Sequence, residues 1–287
     1  MKIITDSAAD LSPAELAALD IAQAPLYIHF PDGEVDPATI DPDEFYDRLA
    51  AMHPRIPTTA QPAGGLFSRL YGDALAGGEE VLSVHVSSGL SGTLNAARVG
   101  AEQCEGGDRV CLWDTLTLAG GERFQVLAAA GAARLGWPLA QIQERLAQIR
   151  NANDVVFTLE TIEYLARGGR IGRVQALAGL LLNIKPVIHV DHRDGKYNGV
   201  AKARTMPKAL DAIVDYLKGI HDGVPLWVIV QHGRVPAQAA ALADLIRVRL
   251  NVARLDTIRI TPVLGVHTGP GIVGACVVPM NLLAGLV

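Results

Sequence analysis

The chemistry most readily available to this chain lies at Val84-His85-Val86-Ser87-Ser88-Gly89-Leu90-Ser91-Gly92-Thr93. An apolar run ending at Val86 reads as a buried strand, and a helical pattern opens near Thr93. Small polar residues between a strand and a helix start make an anion cradle: the helix offers unpaired N–H groups, and glycines admit a ligand to the backbone. The same composition also suits a plain turn with an N-cap. Nucleophilic catalysis meets an obstacle, because a nucleophile elbow requires glycine two residues before and two residues after the serine: Ser88 has neither, and Ser91 has Gly89 before it but Thr93 after it. No sequence-local base or orienting acid is defined, and His85 reads as a core residue. A phosphate loop is excluded in its usual form, since no lysine follows Gly92.

Further candidates are scattered along the chain. Thr58-Thr59-Ala60-Gln61 sits in Pro54–Pro62, where three prolines argue against regular structure and for a rigid polar segment. Gly168-Gly169-Arg170-Ile171-Gly172-Arg173 is friendly to phosphate, or is a helix stop with solvent-facing arginines. His267-Thr268-Gly269-Pro270-Gly271 predicts a constrained loop before the last strand, with one imidazole and one hydroxyl on display. Arg204 lies at a strand end, as a surface cation or in an interface ion pair. His189 and His192 flank Asp191 without a further ligand set, so a surface turn is preferred to a metal site.

The elements that must position these residues alternate strand and helix. Strands are predicted at Lys2 to Thr5, Val81 to Val86 and Arg109 to Trp113, with an extended stretch from Ile21 to Phe30. Helices are predicted from Ser12-Pro13-Ala14-Glu15 (a capping box), Asp41 to Met52, Gly64 to Ala76, Thr93 to Glu102, Thr117 to Leu135 and Leu139 to Arg150. This rhythm implies a parallel, Rossmann-like sheet with ligands beyond its carboxyl edge, where Asp6-Ser7, Ser87 to Thr93 and Asp114-Thr115 fall. The second part has a hairpin signal at Asp194-Gly195 amid crossovers, hence a mixed sheet. An apolar helix is expected from Arg173 to Leu182. The expected architecture is α/β with two packed domains, 1–153 and 154–287, and a ligand crevice between them.

The chain has 287 residues, 49% hydrophobic and 19% charged, ample for a large core. A net charge of −5 without a dense Lys/Arg stripe argues against nucleic acid, and 5% aromatics against stacking platforms. Cys104, Cys111 and Cys276 form neither a disulfide framework nor a zinc pattern, which suits a reducing cytoplasm. The longest apolar stretch, near Val174 to Val190, is interrupted by Asn183, Lys185 and Pro186, so no stable membrane insertion is expected.

Seven motifs occur in an order that resembles the DegV family of fatty-acid-binding proteins, including the fatty-acid-binding subunits of bacterial fatty acid kinase. They are Asp6-Ser7 with Asp10-Leu11, Pro57 to Pro62, Ser87 to Thr93, Tyr164 to Gly172, Ile184-Lys185-Pro186, Ala203-Arg204-Thr205 and His267 to Gly271. Each is weak alone, and together they span nearly the whole chain. The resemblance implies one long-chain fatty acid held between the two domains, with Thr59 and Ser91 hydrogen-bonding its carboxylate. It associates His267 and Arg204 with the head group or a kinase partner, and Arg170 and Arg173 with the same face. Ser88, Gly89 and Gly92 belong to the head-group loop, where the glycines would clear room. Ala60 and Ala63 depart from the family's frequent serines, so one auxiliary hydroxyl is missing.

The role so implied is non-catalytic. The protein would carry the lipid, with no cofactor of its own, and present the carboxylate to an ATP-dependent fatty acid kinase for acyl-phosphate formation in phospholipid metabolism. Leu177, Leu180, Leu181 and Leu182 beside Gly179 read by default as core packing and could also supply a slot wall. The rivals are a serine-loop enzyme (hydrolase or small-molecule kinase) and a regulatory sensor of another small acid.

Overall fold

The computed structural model describes residues 1–175 and 184–287. The candidate leucine wall, Leu177 to Leu182, lies outside the described residues, as does most of the apolar helix expected from Arg173. Within that expectation Gly172–Val174 is a single 3-10 turn.

In chain order the first half contains β1 (Lys2–Asp6), α1 (Pro13–Ala18), β2 (Ile21–Ala24), β3 (Tyr27–Phe30), β4 (Gly33–Val35), α2 (Pro42–Ala51), β5 (Thr58–Ala60) and α3 (Gly64–Leu75). It continues with β6 (Val81–His85), α4 (Thr93–Glu102), β7 (Val110–Asp114), α5 (Ala119–Arg134) and α6 (Leu139–Ala152). The second half holds β8 (Asp154–Thr158), α7 (Glu163–Arg167), β9 (Lys185–Val190), β10 (Tyr197–Ala203), α8 (Met206–His221), β11 (Leu226–His232) and α9 (Pro236–Arg249). It closes with β12 (Val252–Arg259), α10 (Pro262–Thr268) and β13 (Val273–Pro279).

The N-terminal sheet is parallel, in the order β2-β1-β6-β7. Every residue of β6 is buried, as befits a central parallel strand covered on both faces. The C-terminal sheet is mixed, ordered β10-β9-β8-β13-β11-β12, with only β11 and β12 parallel. Asp194-Gly195 forms the expected β9–β10 hairpin turn, with Gly195 at φ +64°. The capping box of Ser12 and Glu15 forms, and Asp41 caps α2.

Helix α5 joins the halves. It packs on β1 and β6 on one side and on β8 and β13 on the other. Residues Ala119 to Ala132 are all buried, so the helix has no wet face. Its Gly/Ala composition follows from that position. A Cβ on Gly121 would lie 2.7 Å from Val155, and one on Gly131 would lie 1.9 Å from the Leu286 carbonyl oxygen. One hydrophobic core therefore runs from Ile3 and Val84 through Phe124 to Phe157 and Trp227.

Two expectations need correction. The proline-flanked stretch Pro54–Pro62 does contain a strand: β5 pairs with β3, Ile28 opposite Thr59, in a small antiparallel sheet β4-β3-β5. The prolines lie outside its three residues, so no ladder donor is lost. His267 is not in a loop. It occupies the last turn of α10, which starts at Pro262 and ends where Gly269 takes φ +73°. The Thr268 hydroxyl is not on display either, because it is buried and donates to the Leu264 carbonyl, 3.0 Å away.

Candidate functional site

Two adjoining cavities lie between the halves, near the start of α5. The first, about 50 Å³, is lined by Thr59, Ser91, Arg170 and His267 together with Ala8, Leu26, Val86 and Leu90. The second, about 30 Å³, is walled by apolar side chains that include Phe157, Ile260, Ile272 and Cys276. Leu118, Tyr197 and Leu264 border both, so a polar cavity and an apolar one share a wall. Backbone strain lies beside them, since Leu116 and the apolar cavity's Ala119, neither of them glycine, take φ +50° and +55°.

At the polar end, β5 and the end of α10 bring Thr59 Oγ1 within 2.8 Å of His267 Nε2. His267 Nδ1 is buried without a partner among the described residues, packed so closely on the Gly168 backbone that a Cβ there would approach it to 2.2 Å. Burial and the Arg170 guanidinium hold the imidazole well down, at about 3, so it is neutral near pH 7. Arg170 Nη1 donates to the Gly168 carbonyl at 2.7 Å, and Nε reaches the Leu90 carbonyl at 3.4 Å. It forms no ion pair with a described residue. A guanidinium fixed at a cavity wall without a carboxylate is prepared for an anion.

Ser91 is both a cap and a candidate donor. Its Oγ accepts the Thr93 N–H at 3.3 Å at the start of α4 and stands 2.8 Å from Thr93 Oγ1. With the Thr93 hydroxyl donating to it, the Ser91 proton is free for a ligand.

The other predicted positions do not converge there. Ser88 is exposed, its N–H donating to Asp114 Oδ1 at 3.2 Å. The glycines make room for protein instead of a head group: a Cβ on Gly89 would lie 2.3 Å from the Asp194 carbonyl, and one on Gly92 would lie 2.9 Å from the Gln61 amide. The Ser/Gly loop is thus docked onto the β9–β10 turn, where Ser87 Oγ donates to the Gly195 carbonyl at 2.9 Å. Arg173 is held by Asp194 at 2.9 Å and Asp191 at 3.4 Å, away from both cavities. Arg204 is exposed just past the end of β10, at the far end of the strand from Tyr197, and lines neither cavity. Ala60 and Ala63 line neither as well. His192 contacts the Asn153 carbonyl and the Asp154 carboxylate, and His189 contacts Tyr216, so each is engaged within its own surroundings.

A serine–histidine–aspartate set does exist, where no motif announced it. Ser83 Oγ lies 2.7 Å from His85 Nε2, and His85 Nδ1 lies 3.0 Å from Asp6 Oδ2. All three side chains are fully buried, Tyr71 caps Ser83 at 2.9 Å, and Phe67 stands edge-on to the imidazole. None of the three borders either cavity, so a substrate carbonyl has no approach.

The family model for DegV, described as an uncharacterised protein family, matches residues 1–280. The chain belongs to the DegV family. A DegV domain-containing protein of Deinococcus radiodurans is 36% identical over 97% of this chain and 98% of its own. Among solved structures, a Thermus thermophilus DegV family protein described for its fatty acid binding superposes with a TM-score of 0.90 at 30% identity, covering 97% of this chain and 99% of that one. DegV of Bacillus subtilis, described as a fatty acid binding protein, gives 0.85 at 26% identity over 96% and 98%. The DegV fold accounts for the parallel and mixed sheets. Among the described residues no helix is long and apolar enough to cross a membrane.

The cavity walls Ala8, Leu118, Tyr197, Val263 and Leu264 escaped sequence reading. They come from four separate segments and carry no motif beyond apolar character, except that Ala8 falls inside the Asp6–Asp10 turn.

Proposed function

We propose that this DegV family member binds one long-chain fatty acid between its two halves, divided at residues 153 and 154, and presents the carboxylate to a separate ATP-dependent kinase. The observation that carries the reading is the pair of adjoining cavities, one lined by Thr59, Ser91, Arg170 and His267 and the other by apolar walls. The solved relatives described as fatty acid binding support it.

In this reading the His267 Nε2–H donates to Thr59 Oγ1, which leaves only an acceptor, Nδ1, unpaired. The Thr59 and Ser91 hydroxyls then donate to the carboxylate, and Arg170 balances its charge. Hydrogen bonds to a charged group contribute about 1.5–3 kcal/mol each. Tail burial, at roughly 0.8 kcal/mol per CH₂, dominates affinity, so the head contacts mainly set orientation. Sites for ligands of this size run to roughly 300 Å³ or more, above the cavities among the described residues. Nucleotide, metal and phosphoryl chemistry belong to the kinase. Arg204, exposed and outside the cavities, suits that partner's face.

Mass spectrometry of the protein purified from cells, followed by titration with free fatty acids, tests the reading. Bound fatty acid and micromolar or tighter binding are expected. An empty protein that no fatty acid stabilises would sink it, and acyl phosphate made from ATP without a partner would overturn the carrier role.

A further inference from the structure

The Asp6–Asp10 turn has a second acid whose place in the molecule the fatty acid reading leaves unused. Asp10 is held in the left-handed region at φ +53°, and its own carbonyl accepts from Arg123 Nη1 at 2.7 Å. Both carboxylate oxygens reach into the C-terminal half. Oδ1 accepts the N–H of Thr261, the residue before α10, at 2.7 Å. Oδ2 accepts Gln231 Nε2 on β11, also at 2.7 Å.

This contact fixes the orientation of the Gln231 amide. Its Oε1 must then face the other way, where it accepts the Gly120 N–H of α5 at 3.2 Å and the Cys276 S–H of β13 at 2.8 Å. Gln231 and Cys276 line the apolar cavity, and both are buried. One carboxylate therefore braces α5, β11 and β13 at the wall of the apolar cavity, which Thr59 and Ser91 do not line. The same carboxylate holds the start of α10, whose Leu264 borders both cavities.

The chain of donors admits no simple substitute. An asparagine at position 10 offers one acceptor to two donors, so its own NH₂ would face the Gln231 NH₂. Turning the Gln231 amide over would relieve that clash but would leave Gly120 N–H and Cys276 S–H facing donors.

We propose that Asp10 is a positioning residue that, through Gln231, fixes the wall of the apolar cavity and so sets the length of acyl chain accepted. This rests on the fatty acid reading. A braced wall rejects an extra methylene as a packed core does, whereas a loosened one yields.

The test measures affinities for a graded series of straight-chain saturated fatty acids in the full-length protein, Asp10→Asn, Gln231→Met and Ser91→Ala. The wild type should bind one length best and drop sharply beyond it. Asp10→Asn and Gln231→Met should flatten that drop by about tenfold, in favour of longer chains. Ser91→Ala should weaken every length alike and leave the ratio unchanged. Gln231→Met keeps the Asp10–Thr261 contact and carries the test if Asp10→Asn fails to fold. Folded variants with the wild-type length profile would overturn the inference while leaving fatty acid binding intact. A wild type that binds no fatty acid of any length would remove both.

Discussion

Two hydroxyl–imidazole pairs in this molecule invite comparison. In the N-terminal sheet, Ser83 and His85 stand 2.7 Å apart with Asp6 behind the ring. Between the halves, Thr59 and His267 stand 2.8 Å apart with no acid behind the ring and a guanidinium nearby. The first has the constellation of a hydrolase and no access. The second has access and lacks the acid that would make its histidine a base. Reactivity needs orientation and an approach path together, and each pair has one of the two. What remains is structure in the first case, where Asp6 also accepts the Val86 and Ala8 N–H groups at 3.0 Å, and in the second the anion site proposed above.

The comparison breaks most sharply at His85. Replacing it with leucine leaves Asp6 and Ser83 buried without their partner, and a loss of about 3 kcal/mol or more in stability is expected by chemical denaturation. An unchanged midpoint would mean the buried set is dispensable. At the cavity, Arg170→Met should leave stability near wild type and weaken fatty acid binding by about tenfold or more, from one lost charge-assisted contact. Calorimetric titration reads this directly, and full retention of affinity would remove Arg170 from the carboxylate site.

His267 gives a pH signature. Its pKa falls from the usual 6.5 to about 3 on folding, so the unfolded chain binds the extra proton between those values. The stability contribution is therefore present above pH about 6.5 and is lost as pH falls toward 3, at up to about 1.4 kcal/mol per pH unit. Denaturation of wild type and His267→Gln across that window should show a steeper rise of stability with pH in the wild type, on top of the slope both share from carboxylates such as Asp154, which folding holds down at about 2. Equal slopes would place the imidazole in water. The smallest effect on binding is expected from Arg204→Ala, with fatty acid affinity unchanged and acyl-phosphate formation by an added kinase reduced. Normal turnover would free Arg204 from any partner face.

Legibility followed periodicity and local chemistry. The β6 run, the capping box at Ser12 and the Asp194-Gly195 turn were readable, because each rests on neighbours within a few residues. The Pro54–Pro62 stretch misled, since its strand exists only by pairing with β3. His267 misled in the same way. Glycines and proline after it read as a loop, while the helix before it depends on packing against α2, α7 and the small sheet. Gly89 and Gly92 read as space for a ligand, yet they admit the β9–β10 turn and Gln61.

The sequence by itself determined the alternation of strands and helices, the parallel and mixed character of the two sheets, and the residue types able to hold a carboxylate. These follow from side-chain periodicity and backbone preference, which act over a few residues. Only the tertiary structure decided which hydroxyl meets which histidine, that Arg170 turns inward while Arg173 is held by Asp191 and Asp194, and that a complete serine–histidine–aspartate set is sealed in the core. Such pairings join residues up to some two hundred positions apart, Thr59 with His267 being 208 apart, and depend on how the two sheets close around α5.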